Sequence, residues 1–181
     1  MKKFIAIAAL VAAAGVANAD IHNEVGDADA ALAPQFTGAI SGNVLTQING
    51  MGETDVGFTV YDVDSYVVHI NGNWSASTVG GAGWDTMLFL SDMGGTLLAF
   101  NDDAVGLQSI ISGSLAAGDY VLSITRYSFS FGATPTVDPN TFDNGGTPYT
   151  IFLEGMTTVA PTPGSLALLG LGGLAAARRR R

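Results

Sequence analysis

The chain has 181 residues and no cysteine, so disulfide staples, a thiol nucleophile and thiolate metal sites are all excluded. Its formal charge is −9, yet six of its seven bases (Lys2, Lys3, Arg178, Arg179, Arg180 and Arg181) lie in the terminal segments. Without those segments Arg126 faces sixteen acids, a charge of −15, and a surface that acidic repels phosphate backbones and excludes nucleic-acid binding.

Residues 1–19, MKKFIAIAALVAAAGVANA, join two lysines to an apolar run over 4–16 and a small-x-small site at Ala17-Asn18-Ala19. This is the pattern of a secretory signal passed to the Sec translocon, with signal peptidase expected to cut between Ala19 and Asp20. The run is shorter than the roughly 20 residues needed to cross about 30 Å of hydrocarbon, which argues against a permanent anchor. Residues 20–34 are acidic and alanine-rich without a sustained period, so an extended leader is expected there.

From residue 35 the chain reads as all-β. Short runs over 35–40, 44–48, 56–61, 66–71 and 74–79 are separated by turn signals such as Asn49-Gly50 and Asn71-Gly72-Asn73. That spacing is the pattern of a sandwich or barrel. No interior segment keeps helical periodicity long enough for a helix. Runs over 86–90 and 97–100, joined through Met93-Gly94-Gly95, predict a hairpin. A more polar strand over 108–114 and a last one over 120–127, set off by Gly118-Asp119, complete this stretch. In the latter, Tyr120, Leu122 and Ile124 alternate with Val121, Ser123 and Thr125, which predicts one buried face.

The order of these pieces, Asp85-Thr86 before an apolar strand, Gly95-Thr96-Leu97-Leu98-Ala99, Asn101-Asp102-Asp103, then Leu115-Ala116-Ala117-Gly118-Asp119-Tyr120, resembles the bacterial pre-peptidase C-terminal domain. Asp62-Val63-Asp64-Ser65-Tyr66 is similar to that family's entry strand, so the resemblance covers about 62–127. It implies a jelly-roll-like antiparallel β-sandwich, here over 35–155, between an N-terminal signal helix and a C-terminal hydrophobic helix.

Residues 128–148 form the longest polar loop, 149–154 a final strand, and 156–164 a Thr/Pro spacer. The tail then reads Pro161-Thr162-Pro163-Gly164, an apolar helix within 165–181, and four terminal arginines that keep the end cytoplasmic by the positive-inside rule. This tripartite order resembles the PEP-CTERM sorting signal, with Thr162 where that family has Glu. The resemblance implies an exosortase-like membrane protease, transient inner-membrane anchoring, and delivery to the cell surface or extracellular matrix.

Chemistry is sparse. Neither of the two histidines, His22 and His69, sits in a hydrolase signature, and His69 is expected to face solvent from a half-buried strand. Hard cations take carboxylate and carbonyl oxygens, and Asp62, Asp64, Asn101, Asp102 and Asp103 supply them in acidic turns, so Ca²⁺ is one reading. The other is that Asp and Asn sit there because turns favour them. Trp84, Tyr127, Phe129 and Phe131 are candidates for an aromatic platform on exopolysaccharide, and Trp74 is assigned to the core. Three functions follow: a non-enzymatic structural or adhesive matrix component, a carbohydrate-binding module, and a secreted hydrolase.

Overall fold

A computed structural model describes residues 19–26, 28, 34–52, 63–127 and 147–161. The predicted run at 56–61, Asp62, residues 128–146 of the predicted loop, and residues 1–18 and 162–181 lie outside these residues. The rest is all-β, with eight strands in one hydrogen-bonded sheet: β1 (Ala19–Asn23), β2 (Gln35–Phe36), β3 (Val44–Gly52), β4 (Val63–Ser77), β5 (Thr86–Asp92), β6 (Leu97–Asn101), β7 (Ile110–Arg126) and β8 (Thr147–Thr158). The spatial order is β1-β3-β8-β4-β7-β5-β6, and β2 pairs separately with β4. The antiparallel expectation holds for the central ladders and fails at β1–β3 and β2–β4, which are parallel.

Two predicted turns are bulges inside long strands. Asn71-Gly72-Asn73 does not end a strand, because β4 runs through it with Gly72 at a φ of 97°. Ala116 to Asp119 likewise lies within β7, and the register shift between Ile70 and Gly72 falls opposite it. Glycine adopts the left-handed backbone there without a Cβ penalty, so the ladder resumes on either side and the sheet bends. β8 bends at the same level. Its register with β4 shifts between Ile70 and Ser75, and Gly155, at a φ of 69°, has no room for a Cβ beneath the Asn73 carbonyl.

The bend explains how one sheet encloses one core. Tyr66, Val68 and Ile70 from the first half of β4 share a buried cluster with Trp74 and Ala76 from its second half, Leu45 and Ile48 of β3, Leu88 and Leu90 of β5, Leu122 and Ile124 of β7, and Ile151 and Met156 of β8. Trp74 is therefore in the core, as its composition context suggested. The expectation of a single buried face for 120–127 fails, since Val121, Ser123 and Thr125 are buried as well. Ser123 is bonded to Ser65 at 2.8 Å on that second face, where Val63, Met87 and Phe89 also pack together.

The β5–β6 hairpin is present, and its turn is organised by Asp92. Its carboxylate accepts the N–H groups of Gly94 and Thr96 at 2.9 and 2.8 Å, and these bonds, led by Thr96, hold its acidity below the usual carboxylate range. Several boundaries move. Residues 19–23, expected in the signal and leader, form β1, only Gln35–Phe36 of the run expected over 35–40 is strand, and β8 takes in 147–148 of the expected loop and 156–158 of the expected spacer.

Candidate functional site

Polar side chains gather in three places. The first is buried. Tyr149 donates to Asp64 Oδ2 at 2.6 Å, and its hydroxyl lies 2.6 Å from that of Tyr66. Tyr149 comes from β8, and Asp64 and Tyr66 from alternate positions on β4, so all three point into the fold. Glu24 closes the group by accepting the N–H groups of Ala28 and Met51 at 2.9 and 2.8 Å. The ring of His22 stands edge-on to Tyr66 with 5.5 Å between centroids. Burial, then the charge of Asp64, then Tyr66 and Glu24, push the Tyr149 phenol well above its ordinary range. Asp64, expected as an accessible calcium ligand, is thus buried and takes a phenol proton donor.

The second place is an acidic end where β5 starts and β6 stops. Burial, then the carboxylates of Asp103 and Asp102, raise Asp85 above the usual carboxylate range, against the pull of Arg126. A buried hydroxyl knot lies beside it. Thr78 and Thr86 are bonded at 2.6 Å, and the Ser109 hydroxyl lies 2.5 Å from the Thr86 carbonyl and 3.0 Å from those of Asn101 and Asp102. Asn101 also accepts the Ile110 N–H at 3.2 Å, so part of its oxygen capacity serves the strand connection. Tyr127 donates its N–H to the Asp85 carbonyl at 3.0 Å and leaves its side chain about half exposed, at 51%. The structure brings Asn101, Asp102 and Asp103 near Asp85, which the sequence reading missed, and it sets Asp64 apart in the buried group. Among the described residues no set of three or more His, Asp and Glu side chains is placed to hold a metal ion.

The aromatic platform is not assembled as expected. Trp84 is only 9% exposed, packs against Gly52 and meets Tyr149 edge-on, so its ring belongs to the core. Trp84 was expected on an exposed platform, but a ring of that size gains more by burial than by exposure. Tyr127 is available, while Phe129 and Phe131 lie outside the described residues. The third place is His69, which is partly exposed as expected but has an unforeseen partner. Its Nδ1 lies 2.8 Å from Asp119 Oδ1, directly across the β4–β7 ladder. Sequence separation of fifty residues hid that pair, and only the register reveals it.

Of the signal-cleavage residues Ala19 and Asp20 lie on β1, and of the sorting motif Pro161 closes the described part. Ala17, Thr162, Pro163, Gly164 and the four arginines are outside it. Among the described residues no helix is long and apolar enough to cross a membrane.

No family model matches the sequence, and no curated protein does. Among solved structures, the chain is similar to the 1.0 Å crystal structure of a pre-peptidase C-terminal domain of a collagenase from Bacillus anthracis. The identity is 16%, the match covers 76% of this chain and 95% of that one, and the TM-score is 0.38. A likeness of that size does not make the chain a member of the family.

Proposed function

We propose that the chain is an exported, exosortase-sorted component of the cell surface or extracellular polymeric matrix, with a structural or adhesive and non-enzymatic role on a jelly-roll-like β-sandwich. The observation that carries this reading is the order of its parts. A signal-type start and a Pro-Thr-Pro, apolar and tetra-arginine end enclose a segment with a single base against sixteen acids. Among the described residues β1 starts at Ala19 and the Ala160 N–H bonds to Ser41 Oγ at 2.9 Å, so the described sheet lies between the two processing signatures in the sequence.

A test is mass spectrometry of the protein recovered from the producing cells. The expected material begins at Asp20 and has lost the arginine-ended tail, and is recovered from the envelope or matrix. Cytosolic protein with Met1 and Arg181 both intact would overturn the proposal. A second reading, a carbohydrate-binding module, draws on the exposed Tyr127 ring beside the acidic end. A glycan array separates the two, because a matrix filler gives no selective signal.

A further inference from the structure

Both ends of the described chain leave from one place. Ala19 pairs with Val44 at the start of β1. The turn before β3 grips the last residues of β8: Gly42 N–H bonds to the Thr158 carbonyl at 2.9 Å, Asn43 N–H to Thr158 Oγ1 at 3.1 Å, and Gly38 N–H to the Val159 carbonyl at 3.1 Å. The Asn43 side-chain amide also reaches Asp20 Oδ2 at 3.4 Å, so one residue touches both the amino-terminal strand and the carboxy-terminal exit. Whatever the chain continues into on either side starts from this pole.

The pole has an unusual surface for so acidic a protein. Residues 34–44 and 156–161, which build most of it, contain no charged side chain and no histidine, and Asp20, His69 and Asp119 border it. Large apolar side chains nevertheless stand out there, with Ile40 at 69%, Ile21 at 49%, Phe36 at 43% and Val44 at 38% exposure. None of these is needed to fill the core. Beyond them the sequence continues to apolar stretches at 4–16 and within 165–177.

We infer that this pole, led by Phe36 and Ile40 on the turn before β3, is a lipid-contact surface that seats the folded domain on the bilayer while the tail is still attached. The inference rests on the proposed sorting reading, which supplies the membrane. Apolar side chains projecting from a segment without charges gain by entering the boundary between headgroups and acyl chains. A nearby tether makes that contact effectively intramolecular, so a few side chains suffice. Asp20 and Asp119 border the patch and limit the contact to the turn that carries Phe36 and Ile40.

The test uses the full chain, which has no native cysteine, carrying a single dye-labelled cysteine at Ala39→Cys or Val105→Cys and reconstituted in phosphatidylcholine vesicles. Ala39 lies on the pole, and Val105 lies on the turn leading to Ile110, which pairs with Ser77 at the far end of β4. The expected result is co-flotation with the vesicles and several-fold weaker quenching of the Ala39 label by an aqueous quencher than of the Val105 label. Adding Ile40→Asp should abolish that difference, and an exposed position tolerates the change. Equal quenching at both sites in floating protein overturns the lipid contact and leaves the tail reading intact. Shielding of Ala39 that persists without vesicles and fades on dilution assigns the pole to a second copy of the chain, and overturns the inference too. Protein that does not float removes both the tail reading and the contact built on it.

Discussion

Tyr149 gives the clearest case of a residue whose chemistry follows from its position. Replacing it with Phe keeps the ring packing but withdraws a proton donor from the buried Asp64, and should cost about 1–3 kcal/mol in urea unfolding. Its raised phenol also sets a pH dependence. The unfolded chain loses that proton first, so stability is intact below the ordinary tyrosine range and falls as pH climbs through and beyond it; Tyr149→Phe should flatten that alkaline limb. Asp85 is raised as well, so its contribution is complete below the ordinary carboxylate range and is lost as pH rises. Asp85→Asn should therefore raise the melting midpoint at neutral pH, and the gain should shrink in acid. In the same experiment, calcium at millimolar concentration should shift the midpoint no more than magnesium does. A calcium-specific rise, removed by chelator and by Asp102→Asn, would make this end a metal site. The turn chemistry of Asp102 and Asp103 was readable in the sequence. Their approach to Asp85, and the burial of Asp64 and Trp84, depend on which strands become neighbours, and no local pattern encodes that.

At the scale of elements, the hairpin and most strand positions could be read from apolar runs and turn residues. Strand lengths could not. Asn71-Gly72-Asn73 and Gly118-Asp119 have the composition of chain reversals, yet they flank one register shift of a long ladder, where Gly118 pairs with Ile70 and Gly72 with Leu115, and serve as its bend. A left-handed glycine is the same local object in a turn and in a bulge; only pairing on both sides distinguishes them. Gly155 tests how much the bend depends on close approach. Gly155→Ala combines a φ of 69° with a collision against the Asn73 backbone, and should destabilise by about 2 kcal/mol or more. Gly80→Ala, at a φ of 74° with open space around it, should cost about 1–2 kcal/mol from backbone conformation alone. Equal losses in chemical denaturation would mean that the strands shift to admit the methyl group.

For the whole molecule, the dominant fact is charge. With seven bases against sixteen acids, a formal charge of −9, self-repulsion opposes the compact state, and added salt screens it over roughly 8–10 Å at physiological strength. The protein should therefore melt at a higher temperature in about 0.15 M sodium chloride than in about 0.01 M, a difference that calorimetry can read. A midpoint that falls with salt would show that attractions such as that of Arg126 for Asp85 outweigh the repulsion.

The placement of β8 has a mechanical corollary. This strand lies between β3 and β4 and is bonded to both, and the carboxy-terminal tail leaves directly from its end. Tension pulled along the tail would load two ladders in shear, so many bonds would have to fail together. β1, at the margin of the described sheet, has one neighbour among the described residues. Force applied at the described carboxy-terminal end therefore meets two ladders, and force applied at the described amino-terminal end meets one.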